Sequence, residues 1–262
     1  MINLRRALKR GLGNVLGRLL PRHSMHAIVE EAMRREPEML YRTIAPHLGR
    51  QRTVGTMPMD LPADGNMCFE HLAGLFSSTS FDHAVISLPV RQGAYLFGLV
   101  RHMNAQKVIE IGRYKGGSTV LLAAAMGGKG DLWSIDVGEK FVRNNAGTQQ
   151  RYDDEVRSFL SKNHLAAHLI IGDTRTLELD TGDVDLVFID GDHSYEGAKI
   201  DFERFGRRVR VGGAVLFDDA FDEPLIRSHA DTVGRLVDEI VCNGDFRLVK
   251  AVNRMAHLER VR

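Results

Sequence analysis

Cysteine is scarce in this chain. The two residues present, Cys68 and Cys242, lie far apart and in no metal-ligand spacing. That excludes a disulfide-stapled fold and a thiolate metal site, leaves room for at most one bridge, and fits a reducing compartment. No apolar run approaches the roughly 20 residues that a membrane-spanning helix needs, and no apolar leader ends in a small-residue cleavage site. The expected location is therefore the cytoplasm. An excess of one charge is also missing: 35 basic against 34 acidic side chains leave a net charge of +1. Such balance excludes the broad basic surface of a nucleic-acid binder. Repeats and low-complexity segments are absent as well. What remains is an ordinary globular composition, 262 residues with 44% hydrophobic and 26% charged, long enough for one large domain with an appendage.

One local absence breaks the even balance. No Asp or Glu occurs before residue 30, while Arg5, Arg6, Lys9, Arg10, Arg18 and Arg22 crowd the start. Leu4, Leu8, Leu12, Val15, Leu16 and Leu19 recur between them at helical spacing, which predicts a helix that is basic on one side and apolar on the other. Packing on the domain, or on a second copy in a homodimer, is the plainer expectation. The sharper alternative is peripheral contact with an anionic membrane surface through residues 4–22. Gly11, Gly13 and Gly17 weaken the helix by about 1 kcal/mol each.

Farther along, residues 24–49 read as one or two helices and 51–66 as an irregular connection. A short helix is expected over 67–76 and an amphipathic one over 91–103, with Ala94, Leu96, Leu99 and Val100 inward. Thereafter strands and helices alternate: strand 107–111, helix 118–126, strand 132–135, helix 149–163, strand 169–171, strand 184–189, helix 195–209, strand 214–217 and helix 232–241. Residues 246–252 and 255–261 are expected to close the fold as a hairpin. Near-continuous apolar strands between helices predict a doubly wound, Rossmann-like, mostly parallel seven-stranded sheet with a C-terminal antiparallel hairpin. Residues 1–86 would form a helical N-terminal cap and residues 87–262 the sheet domain.

The segment Val108-Ile-Glu-Ile-Gly-Arg-Tyr-Lys-Gly-Gly-Ser-Thr119 reads as strand, glycine-rich turn and helix start. Gly112, Gly116 and Gly117 clear side chains from the turn, so backbone N–H groups can approach a ligand at a helix N-terminus. The spacing is neither the G-x-G-x-x-G of dinucleotide binders nor a P-loop. Its meaning comes from downstream. Glu110, Asp136, Asp173, Asp190 and Asp218–Asp219 fall at the carboxyl ends of five successive predicted strands, which share one edge of a parallel sheet. A lone acid there is an ordinary helix cap. Five in succession predict one acidic crevice at the point where strand order reverses. Asp136 suits ribose hydroxyls, and Asp173 with Thr174 suits an adenine edge. Asp190, Asp218 and Asp219 carry too much like charge to stand bare; either protonation or a divalent cation would relieve it. All-oxygen ligands favour Mg²⁺, Ca²⁺ or Mn²⁺. His193, three residues after Asp190, can face the same pocket and take a proton.

These residues resemble the class I S-adenosylmethionine-dependent methyltransferases, and within them the O-methyltransferases that include catechol O-methyltransferase and the bacterial macrolide-sugar enzymes. The resemblance runs from about Ser87 to Ala220. It is carried by Glu110-Ile-Gly-Arg-Tyr-Lys-Gly-Gly-Ser118, Ile135-Asp136, Gly172-Asp173-Thr174, Asp190-Gly-Asp-His-Ser-Tyr195 and Gly212-Gly-Ala-Val-Leu-Phe-Asp-Asp219. It implies S-adenosylmethionine as cofactor, bound by Glu110, Gly112, Tyr114, Gly116, Gly117 and Ser118 at its methionine end. Asp136 would bind the ribose, while Gly172, Asp173 and Thr174 meet the adenine and Asp190 completes the pocket. It implies Mg²⁺ on Asp190, Asp218 and Asp219, with His193 and Asp190 catalytic; His193 stands where the catechol enzymes carry a lysine. The implied reaction moves a methyl group to a hydroxyl of a small-molecule or glycan acceptor, a sugar or other vicinal diol. Three alternatives stay open on the residues alone: a nicotinamide-dependent oxidoreductase, a metal-dependent hydrolase and a non-catalytic S-adenosylmethionine-binding protein.

Overall fold

The computed structural model describes residues 68–76, 86–138, 148–221 and 233–262, all within one compact unit of the chain. The expectations for residues 1–66, the amphipathic segment 4–22 included, lie outside the described residues. In chain order the elements are α1 (Val90–His102), β1 (Lys107–Ile111), α2 (Gly117–Met126), β2 (Asp131–Asp136), α3 (Thr148–Lys162), β3 (His168–Ile171), β4 (Val184–Ile189), α4 (Tyr195–Arg204), β5 (Val209–Phe217), α5 (Val233–Asn243), β6 (Phe246–Val252) and β7 (Met255–Arg260). A 3-10 helix over Phe69–Leu75 precedes them.

The strands form one seven-stranded sheet in the order β3-β2-β1-β4-β5-β7-β6. The five β1–β5 strands run parallel, and β7 runs antiparallel to both β5 and β6. Apolar residues fill both faces because helices cover both. On one face Ile109, Ile111, Val187, Ile189, Val215 and Phe217 pack with Phe202 within α4 and Phe205 just after it, and with Leu236, Val237 and Ile240 of α5. Alternation along the strands turns Val108, Glu110, Leu186 and Phe188 to the other face. There α2, buried along its whole length, packs against α1. Strand order reverses between β1 and β4, and their carboxyl ends open into the crevice that this topology favours for ligands.

Two predicted elements are corrected. The inward side of α1 is Gln92, Gly93, Leu96, Phe97 and Val100, whereas Ala94 is exposed and Leu99 half-buried. Gly93 is inward because the Phe76 ring lies against it, 2.5 Å from where a Cβ would stand. The helix expected over 195–209 ends at Arg204; a 3-10 turn at Gly206–Arg208 follows, and β5 begins at Val209. Gly206 permits that tight turn, since the Phe202 ring would meet a Cβ there at 2.5 Å.

Candidate functional site

The turn after β1 folds back because two glycines leave room for the backbone. Gly112 has φ +94°, and a Cβ on it would meet the Asp190 carbonyl oxygen at 2.0 Å, so the turns after β1 and β4 can touch only at glycine. Gly116, at φ +82°, stands against Val156 of α3 in the same way. Asp136, the last residue of β2, secures the turn: its Oδ2 accepts the backbone N–H groups of Arg113 and Tyr114, each at 2.9 Å. Its Oδ1 accepts that of Gly138 at 2.7 Å. Glu110 is sealed beneath the turn. Strand alternation aims it at α2, where Thr119 and Ser134 donate to its Oε2 at 2.5 Å each. Burial pushes its carboxyl above the usual range, opposed by hydrogen bonds that include one from Ser118. Its Oε1 is buried and has no partner among the described residues.

These parts line a cavity of about 1080 Å³. Gly112, Tyr114, Gly117 and Ser118 form one stretch of its wall, with Asp136, Gly172, Asp173 and Thr174 beside them. Asp190, His193, Asp218 and Asp219 form another stretch. Of the residues singled out in the sequence, Glu110 and Gly116 are the two that do not reach the wall; Glu110 touches it through Ser118.

The acids do converge, and the protein supplies their counter-charges. His193 lies between two carboxylates, its Nδ1 bonded to Asp219 Oδ2 and its Nε2 3.5 Å from Asp190 Oδ1. Those two partners raise the imidazole pKa to about 10, against burial, so the ring is an imidazolium. Burial lifts Asp190 to about 7 in spite of His193, and lifts Asp218 with help from the Asp219 charge. His193 holds Asp219 low. Arg254, in the β6–β7 turn, pairs with Asp219 Oδ1 at 2.6 Å and reaches to 3.9 Å from Asp218 Oδ2. The Gln92 amide of α1 donates to Asp218 Oδ1 at 2.8 Å. Among the described residues, no group of three His, Cys, Asp or Glu side chains stands in a metal-holding arrangement. Protonation and a cation were the two expected remedies for the crowded charge; Arg254 and His193 are a third, because a carboxylate pair attracts whichever cation is in reach.

Residues 109–220 match the family model described as a methyltransferase domain. That match and the strand order give the core of this chain the fold of a methyltransferase domain. Among curated proteins the chain is similar to one assigned as a caffeoyl-CoA O-methyltransferase of Arabidopsis thaliana, 31% identical over 142 residues, 51% of this chain and 55% of that protein. It is also similar to a flavonoid 3',5'-methyltransferase of Vitis vinifera, 26% identical over 160 residues, 57% of this chain and 63% of that one. The match thus spans less than two thirds of either relative. Among solved structures, the O-methyltransferase TomG from Streptomyces achromogenes in complex with SAM shares the fold, with TM-score 0.51 and 19% identity over 68% of this chain and 82% of that one. An O-methyltransferase from Bacillus cereus in complex with SAH does so too, with TM-score 0.51 and 18% identity over 66% and 82%.

The candidate site is held by residues that sequence reasoning passed over. Arg113, within the glycine-rich turn, is fully buried and bidentate to Asp153 of α3, at 2.9 and 3.0 Å. Its Nη1 also donates to the Ser134 carbonyl at 2.5 Å. The available signal was a long cation inside a glycine turn, where nothing exposed would need one. Arg254 and Gln92 had no comparable signal, since each meets the acids across more than 30 residues of chain. Among the described residues, no helix of this protein is long and apolar enough to cross a membrane.

Proposed function

We propose that this chain is an S-adenosylmethionine-dependent O-methyltransferase whose acceptor is a small molecule or glycan offering a hydroxyl of a vicinal diol. In this reading residues 87–262 are the methyltransferase domain and residues 1–86 its cap. The observation that carries the proposal is that one cavity joins the glycine-rich turn and Asp136 to the Asp190–His193–Asp218–Asp219 group. At about 1080 Å³ it exceeds the roughly 300–1,000 Å³ of a single-ligand pocket, leaving room for cofactor and acceptor together.

The residues present fit the cofactor. The glycine turn leaves room for a ligand against bare backbone, and Ser118 on the cavity wall bonds the buried Glu110 behind it. Asp136 would meet the ribose, Gly172, Asp173 and Thr174 the adenine. When bound, S-adenosylmethionine supplies an electrophilic methyl on a sulfonium. An acceptor hydroxyl oxygen would take that methyl, the thioether would be the leaving group, and the hydroxyl proton would pass to a base of this chain. His193 is the base in this reading. Held between Asp190 and Asp219 it keeps its proton; loss of either contact would lower its pKa and let a ring nitrogen take the hydroxyl proton.

The donor chemistry of Asp190, Asp218 and Asp219, three carboxylates on one wall, fits a hard divalent cation. These residues would hold Mg²⁺ in place of the Arg254 and His193 contacts, and the ion would supply charge that acidifies a bound hydroxyl. The two plant relatives are named for phenolic acceptors, which can offer the same paired oxygens as a sugar diol.

Isothermal titration with S-adenosylhomocysteine, with and without Mg²⁺, tests the proposal. Micromolar binding is expected. No binding under either condition sinks the methyltransferase reading.

A further inference from the structure

One acid on the cavity wall is unused by the chemistry above. Asp201, in the second turn of α4, is 3% exposed, yet it lines the cavity beside Thr174, Gly191, Gly197 and Ile200. Its Oδ2 would stand 3.4 Å from a Cβ added to Gly191, so the missing side chain there leaves the carboxyl open to the β4 turn. The Thr174 hydroxyl hydrogen-bonds it, and burial raises its pKa to about 6. Arg175, the cation whose charge reaches it, lies instead 3.8 Å from Asp173 and 3.5 Å from Asp192. Asp173 has Oδ1 tied into its own turn by the Arg175 N–H at 3.0 Å.

A carboxylate accepts up to about four hydrogen bonds, and among the described residues the Thr174 hydroxyl is the side-chain donor to Asp201, which leaves capacity for a ligand. A ligand filling this part of the cavity is favoured if it brings an N–H. The inference rests on the cofactor reading above, in which Thr174 meets the adenine. We propose that Asp201 is a specificity-determining residue that accepts a hydrogen bond from the 6-amino group of the cofactor's adenine. A 6-oxo base in the same place turns a carbonyl toward the carboxylate, pairing two acceptors, and is rejected.

The test is calorimetric binding at pH 7.5 of S-adenosylhomocysteine and S-inosylhomocysteine, which differ at this group, to the full chain and to Asp201→Asn and Asp201→Ala. The wild type is expected to prefer the adenine ligand by about tenfold to a hundredfold. Asp201→Asn, nearly the same shape, should bring the two affinities within about threefold, because its amide can donate to the oxo group. Asp154→Asn, an exposed acid of α3 away from the cavity, is the control and should keep the wild-type preference. A wild type that binds both ligands equally overturns the proposal without any variant. So does an Asp201→Asn protein that retains the wild-type ratio, while intact S-adenosylhomocysteine binding leaves the cofactor reading standing. Failure of the wild type to bind either ligand overturns both.

Discussion

Asp136 shows how one carboxylate can serve two ends. Its three backbone N–H partners at 2.7–2.9 Å hold the turn after β1 in the shape the cavity needs, and the same carboxylate lines the wall. Asp136→Ala should therefore weaken S-adenosylhomocysteine binding at least about tenfold and also lower stability by about 2 kcal/mol, read by calorimetry and urea unfolding. Loss of affinity with unchanged stability would mean that the backbone contacts contribute little. Asp201 gives a pH prediction whose sign follows from its burial. Its folded pKa of about 6 lies above the ordinary 3.8, so the folded protein binds that proton more tightly than the unfolded chain. The stabilising contribution is full below pH 4 and is lost as pH rises through 6, a change of up to about 3 kcal/mol. Asp201→Asn has no such proton. Its stability relative to wild type should rise between pH 4 and pH 7.5, as measured by denaturant midpoints at each pH; a constant difference would contradict the burial argument.

At the scale of elements, the glycine-rich turn is held by α3 as much as by its own residues. Arg113 and Asp153 are both buried, 0% and 2% exposed in their side chains, and pair at 2.9 Å. Gln149 adds bonds to the Tyr114 carbonyl at 2.9 Å and to Asp153 at 3.0 Å. Removing one member of such a pair strands the other charge. Arg113→Ala or Asp153→Ala should each cost about 3–5 kcal/mol, whereas Arg113→Met with Asp153→Leu should recover most of that loss. Equal loss in the double variant would show that the ion pair, rather than the avoidance of a stranded charge, stabilises the turn. A helix over 149–163 was expected from the sequence, but not this pairing. A charged residue on a helix is ordinarily solvated, and nothing in the spacing of Asp153 says that Arg113 lies opposite it. The early end of α4 was equally hidden, because the packing of Phe202 against Gly206 overrides a continuous helical pattern.

Across the whole molecule, the strand order gathers the ends of β1 and β2, the turns after β3, β4 and β5, and the β6–β7 turn around one cavity. In the reading proposed above, Asp190, Asp218 and Asp219 hold Mg²⁺, so adding the ion should protect the fold against heat. At a concentration near 100 times its dissociation constant the gain is about 2.7 kcal/mol, or about 5 °C or more in Tm for a domain of this size. Asp219→Ala should abolish the shift, and Arg254→Ala should enlarge it at subsaturating Mg²⁺ by removing the competing cation. No shift in wild type would leave Arg254 and His193 as the sole counter-charges of the acids. The residues alone were enough to foretell the alternating elements, the closing hairpin, the turn after β1 and the acids at successive strand ends, because each is written locally: in apolar runs, in glycine, in an acid that follows a strand. Only the tertiary structure decided which partners those acids meet. Arg254, Gln92, Asp153 and Asp201 arrive from elements far off in the chain, and burial, which sets the charge on Asp190, His193 and Asp201, is a property of the packed interior that no local pattern records.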